Sequence, residues 1–137
     1  MTPDLFLEAF AQAIIGRSLD RAESMLAPWV RDALAAGGLR RVVRVAQGDA
    51  LIPVAYAVID LGFEEAADLR DAVDEDGEPP TLPVAAAITD ENFRGCFSVE
   101  FLPDEDTEAD VDYTFAFFVA VVEVGTGFAV GYLEPMD

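Results

Sequence analysis

Two segments of predicted β-structure carry side chains that could do acid–base chemistry. Asp60 follows the apolar run Val54–Ile59, with Tyr56 four residues before it, and Tyr113 lies in a later aromatic run. Desolvation in an apolar setting raises the pKa of a carboxylate, so that it can shuttle protons near neutral pH. This pattern is compatible with an isomerase or dehydratase, although a solvated Asp at a strand end is the simpler interpretation.

A second set of candidates lies on one face of another predicted strand. Alternation over residues 94–101 places Cys96, Ser98 and Glu100 together on a face that could border a pocket. The chain has no histidine. Ser–His and Cys–His nucleophile pairs and His-ligated metal sites are therefore excluded, and we expect Cys96 to be a buried structural thiol.

Neither the aromatic nor the acidic segments add a cofactor site. Trp29 follows Pro28 in a short predicted helix, where its indole could cover a pocket mouth or pack in the core. The acidic run 74–80 fails as a calcium loop: with Gly77 at the obligatory glycine, Ala72 and Pro83 occupy the first and last ligand positions. We therefore expect no metal and no cofactor.

Charge is distributed unevenly along the chain. The first 48 residues hold five of the 27 acids and six of the eight arginines, so the acidity belongs to the rest of a chain of net charge −19. Such a surface repels nucleic acids and anionic membranes but suits a basic protein partner. The basic cluster Arg40, Arg41 and Arg44 is either solvated or paired within the molecule, or it contacts an anion, an acidic surface or a second copy.

Length and composition indicate one domain covering residues 1–137. A chain of 137 residues with 53% hydrophobic side chains can build one core. No apolar run reaches the roughly 18 residues that span a bilayer, and the first residues do not resemble a secretory signal. With its single Cys96, the chain is expected to be cytoplasmic.

Helical patterns dominate the first 47 residues. Thr2 and Pro3 predict the start of a helix over residues 3–15, and a capping-box pattern from Asp20 to Glu23 predicts a short one through residue 26. A third helix is predicted over 28–37, and an amphipathic helix over 39–47. A β-branched strand is the alternative for 39–47.

Strand patterns dominate the second half. An edge strand over 54–60 and a helix over 63–73 are followed by predicted strands over 94–101, 111–124 and 128–133, with a tight turn at Gly125–Gly127. The last three strands form an antiparallel meander. Both faces of 111–124 are apolar, so one face should meet the helices and the other needs another layer, a second subunit or sheet curvature.

Three segments resemble the NTF2-like superfamily, the cystatin-like α+β cone: the first helix with Phe6, Phe10 and Ile14, the stretch 19–29, and the closing segment Val130–Pro135. The resemblance covers about 30 residues at one end and 45 at the other. It implies a curved sheet wrapped around helices, a conical pocket and dimerisation through the outer sheet face. The family's enzymes act through Asp, Tyr or His, but this chain lacks His and its first Tyr is Tyr56.

The sequence therefore predicts an α+β fold, with N-terminal helices packed on a curved antiparallel sheet that ends in a three-stranded meander. The favoured function is a non-catalytic NTF2-like binding module, dimeric through its sheet, that binds a basic protein or a small apolar ligand. An enzyme that uses a pocket carboxylate is the alternative.

Overall fold

A computed structural model describes residues 2–34, 38–48, 53–69, 88–103 and 115–136. The helices in these ranges are α1 (Pro3–Ile15), α2 (Leu19–Ser24), α3 (Pro28–Ala33) and α4 (Gly38–Gln47), and the strands are β1 (Ala55–Asp60), β2 (Phe93–Leu102), β3 (Phe115–Val124) and β4 (Gly127–Met136). The strands form one antiparallel sheet in the order β1-β2-β3-β4. The predicted α+β class, the C-terminal meander and the edge position of β1 are confirmed.

The first helix begins and ends where the sequence predicts. The Thr2 side chain accepts a hydrogen bond from the Leu5 amide, Pro3 is the first helical residue, and Gly16 ends the helix. At 13 residues, α1 is the longest helix of the described ranges, and none of those helices has the length and apolar character needed to cross a bilayer.

Three helix predictions need correction or are resolved by the structure. The capping box at Asp20 and Glu23 is wrong, because the N-cap of α2 is Ser18, two residues before Asp20, and it makes no side-chain hydrogen bond. The helix also ends at Ser24 instead of residue 26. The third helix ends at Ala33 instead of continuing to residue 37. The segment 39–47 is a helix and not a strand.

The inner face of the sheet packs against the helices. Its central side chains are aromatic: the rings of Phe101 and Phe115 stack with centroids 4.6 Å apart, and Phe117 meets Phe101 edge-on at 6.0 Å. From α1, Phe6 lies 6.1 Å from Phe128 of β4. These contacts make the helix–sheet interface the main core of the molecule.

The outer face of the central strands is also largely buried. Cys96 and Ala120 on this face are 0% exposed, and the ring of Phe63 lies 6.2 Å from that of Phe118. Residues 66–69 form one helical turn whose Ala66 and Leu69 are buried. A further layer of the same chain thus helps to cover the second apolar face. The helix predicted over 63–73 is wrong at its start, because residues 63–65 are not helical, and residues 70–73 lie outside the described ranges.

The sheet contains two register irregularities. The β2–β3 register shifts between Phe93 and Gly95, and the β3–β4 register shifts between Ala120 and Val121. Near the second shift, a Cβ at Gly131 would lie 2.6 Å from Val122 Cγ1, so glycine is required there. Bulges of this kind increase local twist and curvature.

Candidate functional site

A cavity of about 340 Å³ lies where the C-terminal end of α1, the start of α2 and helix α4 meet the first residues of β3. Its lining comes from four stretches of the sequence: Ile14, Ile15, Arg17, Leu19, Arg40, Val43, Arg44, Gln47, Gly48, Pro53 and Phe115. Small-molecule sites in proteins have volumes of roughly 300–1,000 Å³. The cavity is at the lower end of that range.

The cavity has an apolar floor and a basic rim. Ile14, Val43 and Phe115 are buried, and together with Pro53 they form the floor. The three arginine side chains that line the cavity are exposed and form its rim. A ligand here would rest an apolar body on the floor and present polar atoms to arginine.

Helix α4 positions two of the three rim arginines. Arg40 and Arg44 are four residues apart and therefore share one side of the helix, while Val43 beside them points into the core. Arg41 is rotated away and does not line the cavity. The helix thus places two guanidiniums next to each other above an apolar floor.

The third rim arginine occupies a strained backbone position. Ser18 N donates to Ala13 O at 2.8 Å and Arg17 N to Ile14 O at 3.1 Å, which is the Schellman pattern that ends a helix. Its left-handed position is usually glycine, yet Arg17 occupies it with φ of 60°. A side chain in this region costs roughly 1–2 kcal/mol, and such strain is often found at functional sites.

The rim arginines have no carboxylate partners among the described residues. The one ion pair among them joins Arg94 of β2 to Glu123 of β3 at 2.6 Å. Arg17, Arg40 and Arg44 make no ion pair with any described residue. Within the described part of the chain, three of the eight arginines therefore line one cavity without a carboxylate partner.

The proton-transfer candidates lie elsewhere. Tyr56 belongs to β1, and its hydroxyl accepts a hydrogen bond from Gln12 Nε2 at 2.9 Å. Asp60, at the end of the same strand, is exposed and its Oδ1 accepts from the Gly62 amide at 2.8 Å. Neither residue lines the cavity, and Asp60 lacks the apolar enclosure that a proton shuttle needs.

The remaining pocket candidates are also dispersed. The Trp29 indole is partly buried and donates to Gly131 O at 2.9 Å, so it ties α3 to β4. Ser98 is buried and Glu100 half-buried on the outer face of the sheet, which separates them from the cavity. Tyr113 lies outside the described residues.

Cys96 is enclosed on the outer face. It is 0% exposed, and burial raises the pKa of its thiol to about 12, with a further contribution from the carboxylates of Asp68 and Asp60. A thiol that stays protonated at neutral pH is a poor nucleophile. The geometry agrees with a structural role.

The cavity residues are not among the predicted site residues, although part of their signal is in the sequence. The sequence shows the i, i+4 spacing of Arg40 and Arg44, and it shows Arg17 directly after the glycine that ends the first helix. No local sequence pattern indicates that these residues and Phe115 line the same cavity. No protein-family model, curated protein or solved structure matches this chain.

Proposed function

We propose that this protein is a non-catalytic binding module that takes a small, largely apolar ligand in the cavity between α1, α4 and β3. The observation that carries the proposal is the apolar floor of Ile14, Val43, Pro53 and Phe115 beneath an open rim. Buried apolar area supplies most of the affinity in sites of this kind.

The chemistry of the lining favours binding over catalysis. Its polar side chains are those of Arg17, Arg40, Arg44 and Gln47, and none is a carboxylate, a thiol or a hydroxyl. Arginine stays protonated, so it is a poor proton acceptor near neutral pH. The described lining can hold and orient a ligand but offers no general base or nucleophile.

We propose the NTF2-like cone as the fold family of this module. Helices on one face of a bent antiparallel sheet support this assignment, as does a cavity on the helical side. The register shifts near Gly95 and Gly131 also support it, because bulges increase the local curvature of a sheet.

Filling the cavity should weaken binding. Val43→Phe is expected to weaken the binding of 1-octanol and octanoate about tenfold or more, because the added ring occupies space that the alkyl chain needs. Isothermal titration calorimetry measures both affinities. Ile15→Phe is a second variant, since Ile15 also lines the cavity but is only partly buried and tolerates a larger side chain.

Val45→Phe is the matched control for this prediction. Val45 lies on the same helix, is 70% exposed and does not line the cavity. Its replacement should leave both affinities unchanged. Wild-type affinity in folded Val43→Phe and Ile15→Phe would place any binding elsewhere and refute the proposed site.

A further inference from the structure

The three rim arginines specify more than an apolar ligand. Each guanidinium presents a planar fork of donors that matches the paired oxygens of a carboxylate or phosphate. Arg40 and Arg44 lie side by side on α4, and Arg17 borders the same cavity from the end of α1. None of the three arginines forms an ion pair with a described carboxylate.

The surroundings make this concentration of positive charge unusual. The chain carries 27 acidic residues against eight arginines, and three of those eight line one cavity. Among the described residues, none of those that line the cavity is acidic. The described lining thus offers an anion only cationic and neutral side chains, while charges beyond about 8 Å are largely screened at physiological salt.

The backbone at Arg17 adds an independent observation. Glycine would occupy this left-handed position without strain, and Arg17 keeps φ of 60° there. The position places the side chain at the cavity while costing stability. This is expected if the guanidinium has a binding role.

We infer that the ligand is an anionic amphiphile, with a carboxylate or phosphate group on an apolar body. The inference rests on the proposed function, since it assigns the head group of the ligand that the cavity takes. The apolar body lies on Val43 and Phe115, and the anionic oxygens accept hydrogen bonds from Arg17, Arg40 and Arg44.

Three probes with the same alkyl chain separate the contributions: 1-octanol, octanoate and octyl phosphate. Wild-type protein is expected to bind one or both anions about tenfold more tightly than 1-octanol, in calorimetric titrations below the probes' micellar concentrations. The tighter of octanoate and octyl phosphate identifies the head group. Higher salt should weaken the binding of the anions more than that of 1-octanol.

Arginine variants test the assignment. Arg40→Gln and Arg44→Gln should each reduce anion affinity about fivefold to tenfold and leave 1-octanol within twofold. Arg17→Gly removes the third guanidinium and relieves the backbone, so its loss of anion affinity cannot come from misfolding. Arg41→Gln is the matched control on the same helix, outside the lining.

The possible failures are distinct. If 1-octanol binds as tightly as both anions, the inference is wrong and the apolar binding site stands. Equal losses for Arg41→Gln and Arg40→Gln would show general electrostatic attraction and also overturn it. If none of the three probes binds, the proposed function fails and the inference falls with it.

The outer edge of β1 supports a second, independent inference. The two edges of the sheet differ in whether their outward backbone groups have hydrogen-bond partners. On the β4 edge, Ala27 N donates to Val130 O and Val130 N to Met25 O, both at 2.9 Å. Trp29 covers the adjoining Gly131 carbonyl. No such backbone partner is recorded for β1 on its outer side among the described residues.

The phase of the β1–β2 ladder shows which groups point outward. Leu61 N donates to Cys96 O at 3.0 Å, so this pair continues the β1–β2 register one step beyond Asp60 and Phe97. Hydrogen-bonded pairs alternate along an antiparallel ladder. The amides and carbonyls of Tyr56, Val58 and Asp60 therefore face away from β2.

Apolar side chains accompany this open edge. Val54, Ile59 and Leu61 are 57%, 43% and 37% exposed, and β1 carries one charged residue, Asp60. Edge strands are usually protected by charges, Pro or a covering segment. Within the described residues, the protection seen on β4 has no equivalent on β1.

We infer that two copies of this chain pair through β1, antiparallel about Val58. In this register Tyr56 lies opposite Asp60 of the second copy and Ala57 opposite Ile59, so the two carboxylates stay at opposite ends. A parallel pairing would instead place the two Asp60 side chains together, which is unfavourable. In a chain of net charge −19, this nearly neutral edge is where an equally acidic copy can approach.

Two-fold pairing also limits the assembly to a dimer. Each copy uses the described edge whose outward backbone groups have no described partner, since Val130 on the β4 edge is already paired, and the central strands bury most of their outer face. The sheet edge, and not the outer face suggested by the NTF2-like resemblance, is therefore the interface we assign.

Sedimentation velocity at low and high salt tests this pairing. Wild-type protein should form a dimer that strengthens with salt, because salt screens repulsion between two acidic copies. Val58→Pro removes an outward amide that β2 does not use and should yield a monomer, as should Ile59→Lys. Val124→Lys is the control at an exposed hairpin position, 42% exposed, and should remain dimeric.

A wild-type monomer at all salt concentrations would overturn the β1 pairing. So would a dimer that persists in both β1 variants, provided that circular dichroism shows them to be folded.

Discussion

Replacing Phe101 with alanine is expected to lower the free energy of unfolding by about 4 kcal/mol, since large-to-small changes at buried aromatic sites cost roughly 3–5 kcal/mol. Phe101 is 0% exposed. Its ring stacks on Phe115 at 4.6 Å and meets Phe117 edge-on at 6.0 Å. Urea unfolding followed by circular dichroism measures the loss.

Leu5→Ala is the control for this prediction. Leu5 lies on α1 and is 52% exposed, so its truncation should change the free energy of unfolding by no more than about 0.5 kcal/mol. Similar losses for the two variants would contradict an aromatic core centred on Phe101. So would a loss below about 1 kcal/mol for Phe101→Ala.

The free energy of unfolding should fall as pH rises above about 9, and Cys96 should cause part of that fall. The pKa of its thiol is raised from 9.0 to about 12 by burial. Between these values the unfolded chain loses the thiol proton and the folded chain keeps it. The stabilisation is complete below pH 9 and is lost progressively up to pH 12, at about 1.4 kcal/mol per pH unit.

Cys96→Ala isolates this contribution. Tyrosine titration affects both proteins equally and cancels in their difference, while the small cavity in the variant adds a constant offset. Between pH 8 and pH 10, wild-type protein should lose about 1.4 kcal/mol more than the variant. Parallel pH profiles, or rapid labelling of the native thiol by iodoacetamide at pH 8, would contradict an enclosed Cys96.

Much of the fold could be predicted because its signals are local. Thr2, Pro3 and Gly16 mark the ends of α1 in the sequence itself, and Gly125 and Gly127 mark the last hairpin. The errors in α2 and α3 have a physical reason. Short helices depend more on packing than on capping patterns, so Asp20 and Glu23 were weak evidence for a boundary.

The cover of the outer face and the cavity could not be derived from the sequence. Phe63 packs on Phe118, and Arg17 approaches Phe115, across sequence separations that no periodicity encodes. The choice of Asp60 and Tyr56 as site residues followed from strand patterns, which say nothing about enclosure. What the sequence did show was an isolated basic cluster, and the structure separates Arg40 and Arg44 from Arg41 within it.

A crystal structure of the complex with octanoate tests the central claim most directly. The claim predicts the alkyl chain against Val43 and Phe115, with the carboxylate oxygens within hydrogen-bonding distance of Arg40 and Arg44. A ligand bound at another surface, or an empty cavity at saturating octanoate, would contradict it.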